Sequence, residues 1–227
     1  MPFSDGRHIP IVLHFATALK PQRILDVGIG TGVYGLLLRA YLDIAQERVA
    51  RDAWQIHIDG VEVFEGYRNP VWDYAYNEVI LDDARNVLKG RKHYDLLLLG
   101  DVLEHFERSE ARALVDLALL RSSVVIATTP HVDMPQGTWA GNPAESHLSL
   151  LDATDFPNLV ARRVAAETTC YVCSRDPVSV ERIKDAAAIC PSYRIDKVAQ
   201  WRRRIVRKLS RAAGLRQRHS GASPTQV

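Results

Sequence analysis

The sequence predicts an α/β protein built on a doubly wound, mostly parallel sheet. Three observations carry that expectation. Five short apolar runs alternate with helix-like segments between residues 10 and 130, the pattern of βαβ units with right-handed crossovers. The runs are continuously apolar, as strands covered on both faces should be. One of them passes through a glycine-rich bend directly into a helix-like stretch, ILDVGIGTGVYG at 24–35.

The elements follow in order. Residues 10–19 read as a helix, with Pro10 at a first helical position and Ile11, Phe15, Ala18 and Leu19 on one face. Lys20-Pro21 closes it. Residues 23–27 form the first strand, and a helix runs from Tyr34 to about Glu47. Residues 55–61 read as the second strand, ending in Glu62. Residues 67–77 read as an aromatic-rich helix whose start Pro70 disturbs. Residues 78–81 are a short third strand, and 84–89 a short helix. Residues 94–99 (YDLLLL) are a buried fourth strand, 108–120 an amphipathic helix, and 124–128 a fifth strand ended by Pro130. Residues 130–151 have no apolar period. A loop of that length in a compact domain suits substrate binding, and Trp139 argues against disorder. Two further strands, 160–166 and 169–174, are joined by a tight turn.

The glycine bend is the chemical centre. Gly28, Gly30, Gly32 and Gly35 offer bare backbone to a ligand. The helix that follows turns its free N–H groups toward the same place. Residues 30–35 satisfy the dinucleotide pattern G-x-G-x-x-G, a weak signal alone. Asp26, two residues before Gly28, extends it to D-x-G-x-G-x-G. A carboxylate there opposes a pyrophosphate and suits a ligand with a cationic amino-acid end. S-adenosylmethionine has an ammonium, a sulfonium and no phosphate.

On these residues the sequence resembles the class I S-adenosylmethionine-dependent methyltransferases, over roughly residues 8–175. The resemblance implies a Rossmann-like seven-stranded sheet with a C-terminal antiparallel hairpin. It implies S-adenosyl-L-methionine as cofactor and Gly28, Gly30, Gly32 and Asp26 as its binding bend. Glu62, at the tip of the second strand, is placed to accept both hydroxyls of a ribose, or is a solvated acid at a strand end. In the resembled family an acid in the place of Asp83 meets the adenine amino group, with Asp82 the alternative one register step away; either is equally suited to capping a helix. Asp101, in D-V-L-E-H, matches the segment lining methyl donor and acceptor. If that segment is helical, Asp101 and His105 share a face, and His105 is a general base or a helix-end residue. The string Gly141-Asn142-Pro143 with Glu145, His147 and Ser149 resembles a G-N-P-x-x-x-H-x-S signature of bacterial methyltransferases of glycan and secondary-metabolite pathways. Leu151 stands where that signature has an aromatic. His147 is the first candidate for a base, with Glu145 or Asp101 to orient its other nitrogen; a structural loop histidine is the alternative. The implied reaction is O-methylation of a small molecule or a sugar in a glycan.

Composition sets the remaining bounds. The chain has 227 residues, 47 % of them apolar, enough for a sizeable core. It contains no apolar run of roughly eighteen residues, and its start lacks a signal-peptide pattern. Cys170, Cys173 and Cys190 do not make a disulfide framework, so a reducing cytoplasm is expected. No metal is expected, because an odd spacing on a strand puts Cys170 and Cys173 on opposite faces. No G-x-S-x-G elbow supports a hydrolase, and no Tyr-x-x-x-Lys pair supports a nicotinamide oxidoreductase.

Charge is uneven. Residues 193–227 carry a net +9 and the remainder −7. Three parts are therefore expected: a methyltransferase domain at 1–176, a basic helical extension at 177–216, and a disordered tail at 217–227. In the extension Ile195, Val198, Trp201, Ile205 and Leu209 face away from Arg203, Arg204, Arg207 and Arg211. Such a helix suits a membrane surface, an acidic partner or nucleic acid, or docks on its own domain or on a second copy in a homodimer. An RNA-binding or RNA-modifying protein led by this tail is the alternative function. DNA is disfavoured, because the Asp101 segment lacks N/D-P-P-Y/F.

Overall fold

The computed structural model describes residues 6–90 and 92–190. Its strands are β1 (Arg23–Val27), β2 (His57–Glu62), β3 (Glu78–Leu81), β4 (Tyr94–Gly100), β5 (Ser122–Pro130), β6 (Leu159–Ala165) and β7 (Thr168–Cys173). They form one sheet in the order β3-β2-β1-β4-β5-β7-β6. The first five strands are parallel; β7 is antiparallel to β5 and to β6. This is the expected Rossmann-like sheet with its closing hairpin.

The helices are α1 (Ile9–Leu19), α2 (Val33–Leu42), α3 (Pro70–Ala75), α4 (Ala84–Val87), α5 (Arg108–Arg121) and α6 (Pro177–Ile189). Side chains alternate across each strand, so the sheet carries two cores. Ile24, Ile58, Leu98 and Ile126 pack with Phe15 of α1, Leu38 of α2, Trp72 of α3 and Ile183 of α6. Leu25, Val27, Leu97, Leu99 and Val125 pack with Leu114, Val115 and Ala118 of α5. Cys170 lies in the first core and Cys173 in the second, and both are free thiols. Among the described residues, no helix is long and apolar enough to cross a membrane.

Three local expectations change. The helix expected over 67–77 shrinks to α3, because Pro70 takes its first turn and the Asn69 side chain caps it, accepting from the Val71 N–H at 2.8 Å. The helix expected after the glycine bend ends at Leu42, followed by a separate 3-10 turn, Ile44–Gln46. The stretch from Asp101 to His105 does not form a helical face. Only Leu103–His105 turns, as 3-10, while Asp101 stands outside it at φ 56°. The Asp101 N–H is held instead by the carbonyl and hydroxyl of Thr128, each at 3.0 Å. Most of the expected basic extension, and the 217–227 tail, lie outside the described residues.

Candidate functional site

Between β1 and β4 the strand order reverses, and the crevice at their C-terminal ends is where open α/β sheets take ligands. The glycine bend sits there. Gly28, Gly30 and Gly32 have φ of 70°, 50° and 84°, values that side chains rarely tolerate. A Cβ on Gly28 would also stand 2.4 Å from the Val102 side chain.

Three groups fasten the bend. The Val61 carbonyl accepts from the N–H groups of Gly28 (2.8 Å) and Ile29 (3.2 Å). The Trp72 indole donates to the Gly30 carbonyl at 2.8 Å. The Glu62 carboxylate accepts from the Gly30 N–H at 2.9 Å and from those of Val63 and Phe64, each at 3.0 Å. Burial pushes the Glu62 carboxyl up, against these three bonds. A third role for Glu62 thus joins the two read from sequence: it locks the bend to the tip of β2.

Asp26 does not reach the crevice. It points to the opposite side of β1, 1 % exposed, and accepts from the Tyr76 hydroxyl at 2.6 Å. The same hydroxyl accepts from the Gly35 N–H at 3.2 Å, so a relay joins α2 to β1. Burial raises the Asp26 carboxyl from 3.8 to about 7. Asp26 is therefore not among the acids that line the crevice.

That crevice is a cavity of about 310 Å³, within the usual range for small-molecule sites. Of the residues expected there, it is lined by Gly28, Gly30, Glu62, Asp83, Asp101 and His105. Gly32 and Asp26 stand behind the lining. Asp83 caps α4, accepting from the Arg85 N–H at 2.8 Å, and also pairs with the Arg85 guanidinium at 2.7 Å. The lining carries six acids, Glu62, Asp82, Asp83, Asp101, Glu110 and Glu145, against the single guanidinium of Arg85. Arg85 is itself held by Asp83 and Glu110.

The long loop folds over one end of the cavity. The N–H groups of Leu148 (2.8 Å) and Ser149 (3.2 Å) donate to the Glu104 carbonyl, and that of His147 donates to Gln136 at 2.9 Å. Tyr67 donates to Glu145 at 2.9 Å. His147 lines a second cavity, of about 210 Å³, together with Glu104 and Met134. The rings of His105 and His147 stand 5.1 Å apart. Burial lowers the pKa of both. Asp101 accepts from the Thr128 hydroxyl at 2.9 Å and lies 3.3 Å from His8. Sequence reasoning passed over Glu104, which is 2 % exposed and held well above the ordinary carboxylate range by burial. Its position in D-V-L-E-H was visible; its burial was not.

Neither a family model nor a curated protein sequence matches the chain. Solved structures do. The N-terminal domain of EvdMO1 with SAH bound matches at a TM-score of 0.51 and 18 % identity, over 76 % of this chain and 83 % of that one. The magnesium protoporphyrin IX methyltransferase ChlM from Synechocystis PCC 6803, with bound SAH, matches at 0.53 and 14 %, over 74 % and 82 %. An O-methyltransferase family protein from Burkholderia thailandensis matches at 0.52 and 15 %, over 74 % and 56 %. The chain therefore has the Rossmann-like, seven-stranded fold of the class I methyltransferases.

Proposed function

We propose that the protein is an S-adenosylmethionine-dependent methyltransferase acting on a hydroxyl of a small molecule or a sugar. One observation carries the reading: the cavity beside the glycine bend is walled by six acids and one already paired arginine. Such walls repel a diphosphate and favour a ligand bearing ammonium and sulfonium charges. The bend fits the same ligand, since its side-chain-free backbone and the start of α2 leave room against the chain itself.

The roles follow from position. Gly28 and Gly30 let the ligand lie against the backbone. Glu62, already bonded through both oxygens to three N–H groups, keeps a lone pair on the oxygen facing Gly30 for a ribose hydroxyl. Asp83 borders the adenine end. The sulfonium, when bound, supplies an electrophilic methyl group. The chain holds acceptor and donor in line, which supplies much of the rate. At the acceptor end stand Asp101, His105 and His147. Both imidazoles are pushed below the ordinary histidine value, so each keeps a lone pair at neutral pH.

Thermal unfolding tests the reading. S-adenosylhomocysteine at about a hundred times its Kd should stabilise the chain by about 2.7 kcal/mol, and NAD should not. Stabilisation by NAD alone, or by neither, would sink the proposal.

A further inference from the structure

One cluster at the acceptor end has a composition that a hydroxyl base does not need. Glu104, His105 and His147 each present a ligand-type atom, and these atoms lie within 4.8 Å of one another. Atoms bound to one ion at about 2.1 Å sit roughly 3–4 Å apart, so small side-chain rotations close the set. Glu104 is 2 % exposed, and its Oε2 has no hydrogen-bond partner. A buried carboxyl oxygen left unpaired is costly, and a cation that displaces the acid proton to solvent would satisfy it.

The histidines are prepared in the same sense. Nδ1 of His105 faces the Ser146 carbonyl at 3.2 Å, which leaves Nε2 with its lone pair free. The His147 ring lies beside the backbone of Met134. Two backbone bonds from Leu148 and Ser149 to the Glu104 carbonyl hold the loop carrying His147 against the turn carrying Glu104 and His105. Glu145 adds negative charge near both rings.

We propose that Glu104, His105 and His147 bind a divalent transition cation at the wall between the two cavities. Two imidazoles and one carboxylate suit Mn²⁺, Co²⁺ or Zn²⁺ rather than Mg²⁺ or Ca²⁺, which prefer all-oxygen shells. His105 lines the larger cavity, while Glu104 and His147 line the smaller one. An ion there can take an acceptor hydroxyl as a further ligand and lower its pKa. The hydroxyl proton leaves to solvent. An oxygen lone pair forms the new O–C bond, and the S–C pair returns to sulfur, leaving a neutral thioether. The acceptor class is then a hydroxyl with a neighbouring oxygen able to chelate, such as a vicinal diol. This role rests on the methyltransferase reading; the metal binding does not.

The test is titration of the full chain, stripped with EDTA, with MnCl₂ followed by electron paramagnetic resonance, and with ZnCl₂ and MgCl₂ followed by calorimetry. One Mn²⁺ or Zn²⁺ per chain should bind, with Mg²⁺ at least about tenfold weaker. Glu104→Gln, close in shape, and His147→Ala, on the loop, should each weaken Mn²⁺ binding by at least about tenfold. S-adenosylhomocysteine binding, measured on the same samples, reports that each variant is folded. Absence of Mn²⁺ and Zn²⁺ binding to the wild-type chain overturns the site. So does undiminished binding in His147→Ala. If the metal binds but S-adenosylhomocysteine does not, the cation site stands and the methyltransferase reading fails; the reverse result removes only the cation.

Discussion

Asp26→Asn should make the protein more stable at pH 8 than the wild type, relative to pH 4.5. Asp26 is buried, and its carboxyl is raised from 3.8 to about 7. Between those two values the native state binds more protons than the unfolded chain. The stability that the protonated group contributes is therefore present below 3.8 and lost as the pH rises through 7. At ~1.4 kcal/mol per decade, the loss between pH 4.5 and pH 8 is roughly 2–4 kcal/mol. Asparagine removes the titration and keeps an oxygen for the Tyr76 hydroxyl, which donates to Asp26 at 2.6 Å. Burial also raises Glu62 and Glu104 and lowers His105, His131 and His147, so the wild-type curve alone would mix several groups. The difference between variant and wild type cancels the groups that do not feel Asp26 and leaves Asp26 with its charge coupling to Glu62. Urea unfolding of both proteins at pH 4.5, 6 and 8 measures it. A difference that stays flat within about 0.5 kcal/mol, or that falls with pH, would refute the assignment of Asp26 to a buried, proton-binding position.

Other consequences are as direct. Tyr76→Phe leaves the Asp26 carboxylate without its hydroxyl donor and should cost about 1–3 kcal/mol at pH 8 and less at pH 4.5; an equal cost at both would contradict the relay. Gly28→Ala places a methyl at φ 70° and 2.4 Å from Val102. It should cost about 1–3 kcal/mol in urea unfolding and weaken S-adenosylhomocysteine in calorimetry; a neutral result in both would show the bend to be yielding. Cys170 and Cys173 are buried, and burial pushes the Cys173 thiol up to about 12. Ellman's reagent should label neither before unfolding, and rapid labelling of the native protein would place them elsewhere.

Much of the fold was legible because it is written in local patterns. β1 and β3 fall on the expected residues, and the remaining strands lie within two residues of expectation at their ends. A continuous apolar run has few other ways to be buried. The cysteine alternation followed from the period of a strand and holds, one thiol in each core. The glycine bend was legible too, because positive φ leaves few other choices of residue.

The sequence by itself determined the alternation of strands and helices, the bend, and thereby the edge of the sheet at which the glycine backbone opens. Only the tertiary structure decided which way each polar side chain faces across that edge. Asp26 is next to the bend in the chain yet behind it in space, because its place in β1 directs it to the α2 side, where Tyr76, fifty residues on, receives it. Glu104 and His147 are forty-three residues apart and meet because a loop with no period of its own is tied back by two backbone bonds. Periodicity reports a residue's own backbone. The partners of a buried polar atom depend on chain segments that only packing brings near.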